Sequence, residues 1–230
     1  MLSFTPRKDI LPSAEQELWP RLVPAAELGF VLYGGTAIAL RLGHRISDDF
    51  DFFTEHELEK ERLMEVFPFI GRSTVLQDRP NTFTVHVPFG QTRNEYVKVS
   101  FFGSIGFGRV GEPGLTSDGV LQVASLDDLM ATKVKTILQR VSAKDYIDIA
   151  AMLNAGVSLD RGLAAACAMF GHLFQPSESL RAMTYFEGGD LLLLNEDVRV
   201  TLIGAASAVR ELPNIQVLSR SLTGRQPKRS

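Results

Sequence analysis

Two aspartates in the stretch Asp49-Phe50-Asp51 have the spacing of a metal site. Residues two apart on a β-strand point to the same face, roughly 6.5–7 Å apart along the chain. Two bare carboxylates at about 6 Å repel each other by about 3 kcal/mol at an effective dielectric of about 20. A hard divalent cation, Mg²⁺ above all, would turn that repulsion into coordination. A solvated strand edge would accommodate the same pair without any metal.

A glycine turn, Gly34-Gly35, precedes the acidic pair in the chain, and a short predicted helix lies between them. Glycines let the backbone approach a ligand closely, and the positive end of the following helix lies at the same turn. A triphosphate suits such a place, although a Gly-Gly pair taken alone is usually just a turn. The succession of strand, glycine turn, helix and acidic strand favours a site for a metal ion and a nucleotide. We therefore count Gly34, Gly35 and Thr36 as candidates for binding the phosphates.

The two motifs together resemble the signature of the nucleotidyltransferase (polymerase beta-like) superfamily. The fuller pattern, GGTAIAL followed by GHRISDDFDFF, resembles the AbiEii/AbiGii toxin family within it, and the resemblance covers residues 30–155. It implies transfer of a nucleotide from an NTP to an acceptor hydroxyl, with Mg²⁺ held by Asp49 and Asp51. It also implies a toxin of a toxin–antitoxin or phage-defence pair, with tRNA as a candidate acceptor and an antitoxin as a candidate partner.

The loop ahead of the acidic strand carries two further candidates for nucleotide binding, Arg45 and Ser47. Arg45 either neutralises Asp48 or Asp49, or contacts a substrate phosphate. Ser47 either caps the turn or contacts a phosphate, since a serine hydroxyl is suited to both. Both residues belong to the expected site under either alternative.

Two residues farther along the chain, Lys133 and Asp148, complete the candidate catalytic set. Lys133 falls inside the apolar stripe of a predicted helix, so its ammonium group either extends to solvent or points at a triphosphate or at the Asp49/Asp51 site. The family resemblance favours the second, because members of the family carry a lysine on the corresponding helix. Asp148 lies on an apolar face and needs a partner, for which Lys133 or Arg140 is the candidate. Asp148 either supports catalysis or serves the scaffold.

Asp145, three residues before Asp148, has a simpler explanation. Ser142 and Asp145 have the spacing of a capping box at the start of a helix, in which each residue bonds a backbone N–H group near the other. The sequence therefore assigns Asp145 a structural role.

A third carboxylate is the missing part of the pattern. Nucleotidyltransferases generally place it on a strand after the acidic pair, and the strand predicted at 96–102 has Lys98 and Ser100 at its central polar positions. Glu95 at the strand edge is the only acid. Either Glu95 fills the role, or two carboxylates suffice, or catalysis is impaired. The alternative to an enzyme is therefore a catalytically weak nucleotide-binding or interaction protein that retains the fold.

The pattern of the whole chain predicts an α/β fold, a small mixed sheet with flanking helices and a helical C-terminal subdomain. We expect a nucleotidyltransferase-like core at 1–124, the helical subdomain at 125–212, and a mobile basic tail at 213–230. Residues 1–12 read as a loose arm, and the glycine-rich segment 103–119 reads as a long loop. The strand and helix segments are predicted at 30–33, 73–77, 82–87, 96–102, 159–174, 177–186 and 196–210.

Composition narrows the class of protein. The chain has 230 residues with 45% hydrophobic and 22% charged side chains, which is typical of a globular protein. The net charge of -3 argues against a general nucleic-acid coat protein and is compatible with a local basic patch. Cys167 is the only cysteine, which excludes an intrachain disulfide and a cysteine-based zinc site. With no signal segment and no apolar stretch of membrane-spanning length, we expect a cytoplasmic protein that does not bind membranes.

Overall fold

The structure, a computed structural model, describes residues 2–89 and 95–224, and it leaves the side chain of Glu95 undescribed. The chain forms two compact units. The sheet unit comprises the described parts of Met1–Gly108, Glu112–Ala124 and Arg220–Ser230, and the helical unit comprises Arg109–Gly111 and Ser125–Ser219. No helix among the described residues has both the length and the apolar character needed to cross a bilayer.

A mixed β-sheet is the centre of the sheet unit. Its strands run in the spatial order β1-β7-β8-β2-β3-β6-β5-β4, with β3 antiparallel to β2 and parallel to β6. The acidic strand β3 therefore lies between two neighbours and has no free edge. The strands are β1 (Leu2–Phe4), β2 (Val31–Tyr33), β3 (Asp49–Phe53), β4 (Thr74–Arg79), β5 (Thr82–Phe89), β6 (Glu95–Phe102), β7 (Gly114–Thr116) and β8 (Gln122–Val123).

The alternation of side chains along β3 separates the core from the candidate site. Phe50 and Phe52 point to one face, where both are fully buried. Phe52 packs there against Phe30 and Phe101, with ring centroids 6.3 and 5.5 Å away. The two aspartates of β3 lie on the opposite face and are partly exposed. Burial of the phenylalanines fixes the register of β3, because a slip by one residue would put the carboxylates into the core.

Helix α3 connects β2 to the loop that leads into β3. It begins at Gly34 and ends before Gly43, whose φ of 68° places it in the left-handed conformation that commonly ends helices. Its middle residues, Thr36 to Leu40, are buried inside the sheet unit. The helices described in this unit are α1 (Ser13–Leu18), α2 (Pro24–Glu27), α3 (Gly34–Leu42) and α4 (Lys60–Val66).

The helical unit follows the predicted pattern closely. Ser125 caps its first helix by accepting a hydrogen bond from the backbone N–H of Asp128. The three C-terminal helices begin within one residue of their predicted starts and end two to four residues earlier than predicted. The helices described here are α5 (Leu126–Thr136), α6 (Ala143–Asn154), α7 (Leu159–Phe170), α8 (Pro176–Thr184) and α9 (Glu196–Ala208).

Two segments that the sequence presents as irregular contribute strands. Leu2–Phe4, in the predicted loose arm, pairs in parallel with Gly114–Thr116, in the predicted long loop. The short strand Gln122–Val123 then pairs with both β7 and β2. Strands of two or three residues are too short to show the period of two by which a strand is recognised in a sequence.

The start of the predicted basic tail also differs from expectation. Ser219 forms a β-bridge with Arg109 in the helical unit. In the sheet unit, Leu222 is fully buried, and its backbone N–H donates to a carboxylate oxygen of Glu55 at 3.1 Å. The chain from 218 to 224 is therefore a bound segment, and the mobility of the tail stays a prediction. Residues 225–230, which carry the remaining basic side chains of that prediction, lie outside the described residues.

Candidate active site

The two aspartates of β3 lie where the chain leaves β2 for α3. Asp51 is the register partner of Tyr33, the last residue of β2, and Asp49 is the register partner of Lys98 on β6. Residues paired in this way point to the same face of a sheet. The acidic pair therefore shares its face with the end of β2 and with the polar positions of β6.

Gly34 and Asp51 touch each other. A Cβ atom added to Gly34 would lie 2.7 Å from Oδ2 of Asp51, so the carboxylate would have to move. Gly34 also has a φ of +75°, a conformation in which a side chain is strained. Both observations favour glycine at this position. They place the carboxylate of Asp51 against the first residue of α3, where backbone N–H groups and the positive end of the helix dipole lie.

Thr36 and Ser47 connect α3 to the start of β3. Both residues are buried, and their hydroxyl oxygens are 2.8 Å apart. The hydroxyl of Thr36 also donates a hydrogen bond to the backbone carbonyl of Asp49. This short chain of hydrogen bonds holds the acidic strand to the first turn of the helix. The geometry gives both side chains a positioning role, and direct contact with a nucleotide stays a prediction.

The remaining predicted nucleotide-binding residues lie on either side of this link. Gly35 is the second residue of α3. Arg45 is partly exposed in the loop before β3, and its guanidinium group donates to the carbonyl of Ile46 at 2.9 Å. Both predicted roles of Arg45 stay predictions.

A lysine of the neighbouring strand is bonded directly to the acidic pair. Nζ of Lys98 lies 2.9 Å from Oδ2 of Asp49, and the two side chains are 37% and 42% exposed. Ser100, two residues farther along β6, is paired with Asp51 and is almost fully buried. The sequence identifies Lys98 and Ser100 only as positions without an acid. Polar residues alternate with apolar ones on both strands, but the sequence does not say which residue of β6 lies beside Asp49. Only the pairing register shows that it is Lys98.

The donor set of this site fits a magnesium ion bound together with a substrate. Within the described residues, no group of three or more His, Cys, Asp and Glu side chains could hold a metal ion. Mg²⁺ is commonly bound by one or two protein carboxylates, with phosphate oxygens of the substrate and water completing its coordination. Asp49 and Asp51, two carboxylates on one face beside a helix N-terminus, match that type of site.

The helical unit contains a separate cluster of buried charges. Nζ of Lys133 lies 2.6 Å from Oδ1 of Asp145 and 2.7 Å from Oδ2 of Asp148. Arg140 also bonds Asp145, with its Nε 2.8 Å from Oδ2. Lys133 is 6% exposed and both aspartates are fully buried, so the ammonium group does not extend to solvent. Of the two partners predicted for Asp148, Lys133 and Arg140, Lys133 forms the ion pair with it at 2.7 Å.

The prediction for Asp145 is wrong in its detail. No side-chain hydrogen bond caps α6 at Ser142, so the expected capping box does not form. The carboxylate of Asp145 instead joins Lys133 and Arg140. Burial alone would raise the pKa of Asp145, but its bonds to Arg140 and the charge of Lys133 outweigh burial, so the pKa lies below its ordinary value. A charge partner on another helix therefore replaces the local cap.

Comparison with known sequences identifies a family. The model of the family described as "Nucleotidyl transferase AbiEii toxin, Type IV TA system" matches residues 21–197. The chain is also 31% identical over 122 residues to an uncharacterized protein of Aquifex aeolicus (strain VF5), a match that covers 52% of this chain and 55% of that protein. The matched region thus spans about half of the length of this relative.

Comparison with solved structures identifies the fold. A proposed nucleotidyltransferase of H. pylori is similar with a TM-score of 0.55 and 17% identity, over 84% of this chain and 91% of that chain. The nucleotidyltransferase toxin MenT4 of Mycobacterium tuberculosis H37Rv is similar with a TM-score of 0.54 and 14% identity, over 86% of this chain and 84% of that chain. The fold is that of the nucleotidyltransferases, which confirms the predicted α/β fold with a mixed sheet.

Proposed function

The chain belongs to the AbiEii family of nucleotidyltransferase toxins, and from that premise we propose that it transfers a nucleotide from an NTP to an acceptor hydroxyl with the help of Mg²⁺. The contact between Gly34 and Asp51 is the observation that carries this proposal. It joins the two halves of the motif, a helix N-terminus suited to phosphate and a carboxylate suited to Mg²⁺, at one point of the sheet unit.

The residues of the sheet unit have separate roles in the proposed reaction. The backbone of Gly34 and Gly35 holds the phosphates, with Thr36, Arg45 and Ser47 as further candidates. Asp49 and Asp51 would hold the Mg²⁺. When bound there, the ion neutralises charge on the phosphates and favours departure of pyrophosphate.

Transfer itself is an in-line displacement. The acceptor hydroxyl gives up its proton to solvent water and its oxygen bonds the α-phosphorus, while the bond from that phosphorus to the bridging oxygen breaks and pyrophosphate leaves. The chain contributes chiefly orientation and charge, because phosphoryl transfer asks little covalent chemistry of a protein.

Lys133 and Asp148 belong to the proposal through the family resemblance. Lys133 would supply a cation for the triphosphate, and Asp148 holds its ammonium group through an ion pair of 2.7 Å. The alternative role of Asp148, as part of the scaffold of the helical unit, is served by the same ion pair.

The partners follow from the family and not from individual residues. The family description names a type IV toxin–antitoxin system, so a cognate antitoxin is the proposed protein partner. We propose tRNA as the acceptor and the cytoplasm as the place of action. No residue described above selects one NTP over another.

A labelling assay tests the proposal. The protein is incubated with Mg²⁺, total RNA and each α-labelled NTP in turn, and the labelled species is identified. The Asp51→Asn variant should lose at least about 100-fold in transfer, because loss of residues that merely support a metal ligand already costs 10–100-fold. Asp78→Asn is the matched control, an exposed aspartate of the same sheet that pairs with Lys60.

A second candidate function is favoured by one observation. Ser100 is paired with Asp51 at the position of β6 where a third carboxylate would complete the acidic site. A protein with such a site could bind a nucleotide without transferring it. Binding of labelled NTP with no transfer to any RNA would support this second candidate, and transfer that persists in Asp51→Asn would refute the first.

A further inference from the structure

The ammonium group of Lys98 is part of the acidic site. It lies 2.9 Å from Oδ2 of Asp49, and the two residues are register partners on adjacent parallel strands. The pair is held by the sheet, since the backbones of β3 and β6 fix the starting points of both side chains. The register of the two strands therefore places the ammonium group of Lys98 beside Asp49.

The position next to the second aspartate is neutral. Ser100 is paired with Asp51, and its side chain is only 1% exposed. Among the described residues, no third acidic side chain joins the pair to form a metal-binding group. Asp49, Asp51 and Lys98, two carboxylates and one ammonium group, together carry one negative charge.

This charge suits one divalent ion better than two. A second divalent ion beside Asp49 would have to approach the ammonium group of Lys98, and like charges at such distances repel strongly where solvent is partly excluded. It would also have to share Asp49 and Asp51 with the first ion, because no third acidic side chain joins the pair among the described residues.

We propose, on the basis of the function proposed above, that Lys98 is a built-in cation of this site, so that the acidic pair binds a single divalent metal ion. Lys98 pairs with Asp49 and takes the electrostatic position that a second ion would otherwise occupy. Its positive charge lowers the affinity of the acidic pair for cations, so that one divalent ion binds and a second does not.

Counting bound Mn²⁺ tests this proposal independently of activity. The free ion is titrated into the protein and measured by electron paramagnetic resonance, with Mg²⁺ added to displace it. The wild type should bind one Mn²⁺ that Mg²⁺ displaces. Lys98→Met should bind Mn²⁺ at least 10-fold more tightly, and the double variant Lys98→Met/Ser100→Asp should bind two ions.

Two further variants control for damage to the fold. Lys98→Arg keeps the charge and should still bind one ion. Lys60→Met removes a lysine from another ion pair of the same unit, that with Asp78, and should leave the number and affinity of bound ions unchanged. The melting temperature of each variant shows whether it is folded before ions are counted.

The possible results separate the two proposals. Two ions bound by the wild type would overturn the role of Lys98 while leaving the metal-dependent function intact. A Lys98→Met variant with unchanged affinity, together with a double variant that still binds one ion, would overturn it as well. If the folded wild type binds no ion at all, the metal site of the proposed function fails, and the role of Lys98 fails with it.

Discussion

Gly34 and Asp51 are so close that a side chain at position 34 would displace the Asp51 carboxylate. Oδ2 of Asp51 would lie 2.7 Å from a Cβ atom there. The two residues are 17 positions apart in the chain, and the antiparallel pairing of Tyr33 with Asp51 brings them together. A phosphate held at the helix N-terminus would therefore lie next to a carboxylate, an arrangement that becomes favourable when a cation lies between them.

The first prediction concerns this contact. Gly34→Ala should displace the Asp51 carboxylate and strain the backbone, which we expect to cost about 1–3 kcal/mol of stability and at least about 10-fold in transfer. Gly71→Ala is the matched control, because a Cβ atom at Gly71 meets nothing within 4 Å. Urea unfolding and the labelling assay measure the two effects. A variant with wild-type transfer would contradict the placement of the site.

The buried charges of the helical unit lead to a prediction about stability. Lys133→Met removes the ammonium group shared by Asp145 and Asp148, and we expect the free energy of unfolding to fall by about 3–5 kcal/mol. Lys135→Met, on the same helix, removes a partly exposed lysine that donates to the carbonyl of Leu173 and should cost about 1 kcal/mol or less. If both variants lost the same free energy of unfolding, the buried cluster would contribute no more to stability than an exposed lysine does.

The lowered pKa of Asp145 predicts how stability depends on pH. A carboxyl group whose pKa is lower in the folded than in the unfolded protein stabilises the fold above its unfolded pKa, which has an ordinary value of 3.8. That contribution is lost as the pH falls through the folded pKa, by at most about 1.4 kcal/mol per pH unit. The wild type should thus exceed Asp145→Asn in stability at neutral pH, and the gap should narrow in acid. A gap that stays constant down to about pH 3 would be the contrary result.

The bound segment near the end of the described chain gives the fourth prediction. Leu222 is fully buried in the sheet unit, so Leu222→Ala should lower the free energy of unfolding by about 2–5 kcal/mol. Leu218→Ala changes a leucine that is 56% exposed, and we expect a change within about 0.5 kcal/mol. Thermal or urea unfolding of the two variants compares them directly. A Leu222→Ala variant as stable as the wild type would argue that the segment is not held.

The parts of the fold that could be predicted are those with long periodic signals. The strands at 82–87 and 96–102 alternate apolar and polar residues, and they are present as parts of Thr82–Phe89 and Glu95–Phe102. The C-terminal helices likewise carry apolar residues at helical spacing. In contrast, Leu2–Phe4 becomes a strand only because β7 offers it a partner, and no local pattern contains that information.

The motif of the candidate site could be predicted from the sequence, but the ion pairs around it could not. Gly34 and Asp51 could be connected from the sequence because their motif has a known chemical purpose. The bond between Lys98 and Asp49 depends on the register of two parallel strands, which are separated by 49 positions. The spacing of Ser142 and Asp145 fits a capping box, and nothing in that local pattern shows that Asp145 pairs with Lys133 and Arg140.

The return of the chain to the sheet unit has a consequence for how the protein is made. Leu222 bonds Glu55, and the N–H of Gly224 donates to the side chain of Gln122 at 3.1 Å. A ribosome adds about 5–20 residues per second, so the residues that close this unit emerge roughly 10–30 s after the acidic strand. Until then Asp49 and Asp51 belong to a sheet unit that lacks the contacts of Leu222 and Gly224. The sheet unit thus lacks these closing contacts until residues 222–224 have been synthesised.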